Sequence, residues 1–402
     1  MTKEQNRTIW ILIISSSLIL AITMGVRQSL GLFIAPINID KNIDIVTISL
    51  ALAIGQFFWG LVQPIVGVIA DKKGSFLVLV FGALLMFFAL IFTAFIESSF
   101  LLIVFFGLML SAGAGASSFS ILIGATAKKL PSSKRSFAGG FINAGGSFGQ
   151  FVFAPLAQAL INAFGYIYAL FALAISTLFT IPLAKILTKN EKTKEKEIEI
   201  KDEQNSISLK EQMKIAIKDK SYILLNIGFF TCGFHVSFLV THLPYEVALC
   251  GFSADVSAYS LALIGFFNIF GSLYAGYLGT KYKMKYILAW IYFSRALMIF
   301  IYLLAVKTEL TFYIFSVAIG FTWLATVPPT AGIVAKLFGV KYLATLFGLT
   351  LLSHQIGGFF GAYLGGIFVD SFGNFNLMWY FDIALALLAA LINIPIKEKS
   401  VE

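Results

Sequence analysis

Five ionisable side chains stand inside long apolar runs of this 402-residue chain: Arg27, His235, Arg295, His354 and Asp382. A charge in such surroundings is expensive, so each marks a candidate site. Arg27 lies in TMGVRQSLGLF, with Gln28 and Ser29 beside it. A guanidinium offers a planar fork that fits a carboxylate with two hydrogen bonds; its other uses are snorkelling and structural pairing. His235, in CGFHVSF, and His354, in LLSHQIGG, carry imidazoles, which donate to a carboxylate or titrate near neutral pH. Ser353 and Gln355 make the neighbourhood of His354 a polar cluster. Arg295, in WIYFSRALMIF, is either a second anion-binding group or the partner of Asp382 in an ion pair. His242 reads as a packing or mouth residue. No metal is expected at His235 or His354, since neither has a carboxylate at ligand spacing. The expected substrate contacts are therefore Arg27, Gln28, His235, Arg295, His354 and Gln355, with His235 and His354 also coupling protons. Two arginines and two histidines against one acid favour an anion as the substrate.

The elements that must position these groups follow from composition. The chain is 59% hydrophobic and 12% charged, where a soluble domain is about 25% charged. The apolar residues form blocks of about twenty, the length of helix that crosses roughly 30 Å of hydrocarbon. The runs are unbroken rather than alternating, so the spans are helices. Twelve are expected, near 9–37, 46–70, 75–96, 99–127, 136–162, 164–187, 221–250, 256–280, 286–306, 310–335, 342–369 and 374–396. The first is too long for the core of a cleavable signal. Cys232 and Cys250 share one run and read as small buried hydrophobes, not a disulfide. The net charge of +9 is placed in short loops, which argues against a nucleic-acid partner. With both termini in the cytoplasm, 25 of the 29 Lys and Arg fall on that side and only Lys41 and Lys307 outside. The expected location is the inner (plasma) membrane, with the monomer as the unit.

The chain repeats. A shift of 208 residues superposes Gly140 on Gly348, Gly149 on Gly357 and Gly165 on Gly373. A shift of 209 brings Gly67 onto Gly276 and Asp71 onto Thr280. Two six-helix halves follow, residues 1–187 and 221–402, joined by a cytoplasmic linker over 188–220 with a helical pattern from Ser208 to Lys218. The strings SAGAGASS, AGGFINAGGSFG and QIGGFFGAYLGG read as close helix seams rather than phosphate loops. Pro64, Pro155, Pro328 and Pro329 mark expected kinks. After the second run comes GVIADKKG, where Asp71, Lys72 and Lys73 are the expected gate between two conformations. No ATP-binding motif or cofactor motif is present, so a gradient is the expected energy source.

The 6+6 plan, the polar central linker and GVIADKKG resemble the major facilitator superfamily. GYLGTKYKMK, Gly276–Lys285, is similar to a second copy of that loop, with Thr280 in place of Asp71. GVRQSLGLFIAP, GFHVSFLVTHLP and SHQIGGFFGAYLGG look most like bacterial relatives of the monocarboxylate and oxalate/formate transporters. This resemblance implies two bundles around a central cavity, lined mainly by spans one, four, seven and ten, with span nine peripheral. It implies transport of a small organic anion, such as lactate or pyruvate, by proton symport or exchange for a counter-anion. The eighth run has no arginine before its basic end and the eleventh no mid-span lysine, where that branch carries them. Export of amphipathic drugs by proton antiport is the alternative transport reading; a receptor or assembly factor that moves nothing is the alternative of another class.

Overall fold

The computed structural model describes residues 3–127, 129–130, 132–189, 208–339 and 343–398. The chain divides into two compact units, Met1–Asp202 and Glu203–Glu402. The division falls inside the expected linker, of which residues 190–207 lie outside the described set.

Unit one is built from α1 (Lys3–Gln28), a 3-10 turn (Leu30–Phe33), α2 (Ile34–Lys41), α3 (Ile45–Lys73), α4 (Ser75–Thr93), α5 (Ser99–Leu102), a π-helical stretch (Ile103–Met109), α6 (Leu110–Ala116), α7 (Phe119–Ala127), α8 (Ser132–Phe164), α9 (Tyr166–Leu178) and α10 (Thr180–Thr188). Unit two holds α11 (Leu209–Lys218), α12 (Lys220–Leu249), α13 (Ala254–Lys281), α14 (Met284–Leu304), α15 (Glu309–Thr322), α16 (Val327–Phe338), α17 (Leu343–Phe372) and α18 (Asn376–Asn393). Local chemistry sets many of the ends. Asp44, Asp219 and Thr308 cap α3, α12 and α15 by accepting from the backbone N–H three residues on. Gly165 and Gly373 close α8 and α17 at φ of 84° and 67°, a left-handed backbone that glycine enters freely. They are a repeat pair, so the sequence repeat is also a repeat of backbone turns.

Each unit has its own core. Ile13, Leu79, Leu122, Ile142 and Leu187 bring α1, α4, α7, α8 and α10 together in unit one. Phe229, Leu288, Tyr292, Ile333 and Leu346 do the same for α12, α14, α16 and α17 in unit two. The outward faces are also apolar: Leu77 is 60% exposed, Trp290 68% and Leu304 72%. Helices apolar on both faces suit a lipid solvent. The fold is an all-α, multi-spanning membrane fold, with ten segments among the described residues long and apolar enough to cross a bilayer. Twelve were expected. The two outside that set are α8 and α17, 33 and 30 residues long, at the fifth and eleventh expected positions. Both devote much of their length to glycine and polar residues.

Three of the expected continuous spans are broken. α1 ends at Gln28, and the chain turns through 3-10 geometry before α2. α6 and α7 are interrupted at Ser117 and Ser118, α15 and α16 at residues 323–326. The last two breaks are again about 208 residues apart. Pro328 and Pro329 fall in the first turn of α16, where a missing N–H does no harm, so they start a helix instead of kinking one. Pro64 and Pro155 sit inside α3 and α8, as expected.

Candidate functional site

The expected site residues are positioned by two equivalent seams. In unit one α1 packs on α8: a Cβ on Gly149 would collide with the Ala21 carbonyl, and one on Gly25 with the Phe153 ring and the Gly149 carbonyl. In unit two α12 packs on α17: a Cβ on Gly357 would meet the Phe230 carbonyl, and one on Gly233 the His354 carbonyl. Small residues let two backbones approach where lipid supplies no hydrophobic drive. The 208 shift pairs Gly149 with Gly357 and Gly25 with Gly233, so it also pairs Arg27 with His235.

Arg27 lies in the last turn of α1, where the helix dipole presents its negative end. Its guanidinium sits 4.3 Å from the centre of the Trp59 ring of α3. It is half-buried, and no carboxylate among the described residues pairs with it. Gln28 is buried with its side-chain oxygen unpartnered, as are both amide atoms of Gln150 on α8 and the indole N–H of Trp59. Gln150 and Trp59 were not anticipated. Gln150 was open to the same cost argument as the charges, since a bare amide in a span also lacks water.

Unit two gathers the other expected residues into one buried network. Arg295, on α14, donates to the carbonyls of Thr322 and Trp323, the second at 2.5 Å. These are carbonyls freed by the break between α15 and α16. Asn268, on α13, takes the N–H of Leu324 at 2.9 Å. Cys232, on α12, lies 3.2 Å from Thr326 Oγ1 and 3.6 Å from an Arg295 nitrogen. The thiol therefore belongs to this polar junction rather than acting as a plain hydrophobe. His235 Nε2 is 3.0 Å from the Asp382 carbonyl oxygen and 3.3 Å from its Oδ1. Although α14 and α18 pack together, Arg295 makes no ion pair with Asp382: its donors go to the break. His354, on α17, stacks near Phe229 at 4.9 Å, accepts from Gln355 Nε2 at 3.4 Å and keeps Nε2 unpartnered. His242 bonds the Ala362 carbonyl at 2.7 Å between α12 and α17.

Sequence reasoning also passed over Glu246. It is 8% exposed near the end of α12 and accepts from Tyr302 Oη at 2.9 Å and, more distantly, from the Trp379 indole at 3.4 Å. Its place close to a span end hid it among loop charges. Lys73 is exposed at the end of α3, while the side chains of Asp71 and Lys72, like that of Thr280, lie outside the described residues.

Long apolar helices in two repeated units define a multi-pass membrane protein. The model of the Major Facilitator Superfamily matches residues 16–362, and the chain belongs to that superfamily. Its members move solutes and catalyse no bond chemistry, so this is a secondary-active transporter and not an enzyme. The chain is 25% identical over 389 residues to monocarboxylate transporter 13 of Rattus norvegicus, covering 95% of this chain and 86% of that one. It is 22% identical to the oxalate:formate antiporter of Oxalobacter formigenes, over 90% of this chain and 86% of the other. The uncharacterized MFS-type transporter YcxA of Bacillus subtilis is 28% identical over 184 residues, 44% of each chain. Among solved structures, an inward-facing, unoccupied bacterial homolog of the human lysosomal transporter Spinster superposes with a TM-score of 0.72, at 14% identity, covering 98% of this chain and 95% of that one. That likeness bears on the fold alone.

Proposed function

We propose that the protein carries a small organic anion, a monocarboxylate such as lactate or pyruvate, by alternating access, in symport with a proton or in exchange for a second anion. The observation that carries this reading is Arg27, half-buried in the middle of a candidate span with an aromatic ring but, among the described residues, no acid paired with it. Inserting an arginine at the centre of a span costs about 2.5–3.5 kcal/mol. A cation–π contact returns about 0.5–1 kcal/mol where exposed and about 2 kcal/mol or more where desolvated, and it leaves the guanidinium's N–H donors unbonded. Those donors call for water and an anion, and a carboxylate fits the guanidinium fork. The unpartnered Gln28 side-chain oxygen, both amide atoms of Gln150 and the Trp59 N–H add neutral hydrogen-bonding groups in the same unit. The similarity to a monocarboxylate transporter and an oxalate:formate antiporter supports the same substrate class.

In this reading His354, with its free Nε2, and His235, beside Asp382, take part in substrate contact or proton coupling, and Arg295 holds the break of the tenth span. In the same reading the chain has twelve spans in two six-helix halves, with both termini in the cytoplasm and the GVIADKKG loop as a gate. Uptake of labelled monocarboxylates, dicarboxylates and amino acids into proteoliposomes, with and without a pH gradient, tests it. A monocarboxylate should accumulate, faster with the outside acidic for symport, or only against a preloaded anion for exchange. Equal indifference to every anion in the panel overturns it.

A further inference from the structure

Away from these residues, unit two contains a cavity of 710 Å³ between α13, α14 and the break that follows α15. One end of it is basic and aromatic: Lys281 and Lys283 stand there with Tyr282 and Tyr286. From that end the lining continues along α14 to Met298 and along α13 back to Gly271, where it meets Phe321 and Thr322 at the break. At 1.5 Å per residue this is about 22 Å along α14 and about 15 Å along α13. A hydrocarbon core of roughly 30 Å gives each leaflet roughly 15 Å. The cavity is thus about one leaflet deep along α13 and about half a leaflet deeper along α14, with cations at its headgroup end and an apolar wall below.

The charges at that end are sorted. Lys336 pairs with Glu398 at 2.9 Å, and Lys285 donates to the Ile394 carbonyl at 2.8 Å. Lys281 and Lys283 have no carboxylate partner among the described residues, and Lys281 only rests over the Tyr277 ring at 4.6 Å. Trp290 and Tyr286 are more than half exposed beside the cavity, as interfacial aromatics are at the level of headgroups.

We infer that this cavity is a binding site for one anionic phospholipid, its phosphate held by Lys281 and Lys283 and one acyl chain lying between α13 and α14. Basic pockets between membrane helices select such headgroups, and each lysine adds a several-fold preference. The inner end of the chain rests against Thr322, whose carbonyl Arg295 holds, so lipid occupancy bears on the broken span itself. The inference is independent of the substrate assigned above.

The test is native mass spectrometry of the purified full-length chain with added phosphatidylglycerol, phosphatidylcholine or glycerol phosphate. We expect one phosphatidylglycerol retained about tenfold more strongly than phosphatidylcholine, no binding of glycerol phosphate alone, and weaker retention of a short-chain phosphatidylglycerol. Lys281→Gln/Lys283→Gln should remove the preference, while Lys214→Gln/Lys218→Gln, on exposed positions of α11, should keep it. Equal retention of the two lipids, equal loss in both double variants, or glycerol phosphate binding as well as the lipid overturns the site.

Discussion

Positions 27 and 235 are equivalent under the 208-residue repeat, and the two units treat them in opposite ways. In unit one the helix stops one residue after Arg27, and among the described residues the guanidinium has an indole ring beside it and no ion pair. In unit two α12 runs unbroken through His235, whose imidazole is bonded to Asp382. The breaks in the fourth and tenth spans contrast in the same way. Ser117 and Ser118 hold the first with no side-chain partner for either hydroxyl, while Arg295, Asn268 and Cys232 converge on the second. Repetition preserved the helix seams and the places where helices break. The polar chemistry at those places diverged: unit two uses its cation to hold structure, and in unit one no carboxylate among the described residues pairs with the cation.

Three perturbations press on that contrast. Arg295→Ala should lower stability by about 4 kcal/mol, because two charged hydrogen bonds are lost and buried carbonyls are left without donors. Ser117→Ala at the matching break should change it by less than about 1 kcal/mol, since its hydroxyl bonds nothing. Thermal unfolding in detergent measures both, and equal losses would remove the assignment of Arg295 as a structural cation. Next, Gly149→Ala and Gly357→Ala should each destabilise by about 2 kcal/mol, because the added methyl meets a backbone carbonyl that cannot swing away. Gly140→Ala and Gly348→Ala, the repeat pair with open space around them, should instead gain about 0.5 kcal/mol of helix propensity. A seam that tolerates the methyl in one unit only would show that the repeat is looser than its glycines suggest.

The third perturbation is at a cap. Burial pushes the Asp44 carboxyl up, but the hydrogen bonds from Thr47 Oγ1 and N outweigh it and hold the group below the usual carboxylate value. A folded-state pKa below the unfolded one stabilises above the unfolded value, and that contribution disappears as the pH falls through the folded one. Asp44→Ala should therefore cost about 1 kcal/mol at neutral pH and less at a pH below both values. A loss undiminished in acid would mean that the carboxylate charge plays no part in the cap.

Much of this was legible in the amino-acid order. Hydropathy gave the helices, because lipid tolerates few alternatives, and the glycine offsets gave the repeat, because close backbone approach admits no larger side chain. Arg27, His235, His354 and Arg295 stood out because charge in an apolar run has a price. What stayed hidden was partnership. That Arg295 faces the carbonyls of Thr322 and Trp323 rather than Asp382 depends on a helix break that no local signal announces, since Pro328 and Pro329 fall just beyond it. In sequence Cys232 reads as a hydrophobe, because a thiol acquires polar meaning only from its neighbours. Gln150 and Trp59 were missed because neutral polar groups carry no charge to flag them.

The account rests on the freedom of one guanidinium, and transport by Arg27→Ala beside His235→Gln tests that most directly. Both variants are reconstituted at matched, folded amounts and assayed for uptake of the best monocarboxylate. Arg27→Ala is predicted to lose about a hundredfold in uptake with unchanged thermal stability, Arg27→Lys to recover part of it, and His235→Gln to lose stability as well as rate. Uptake by Arg27→Ala at the wild-type rate would contradict the account.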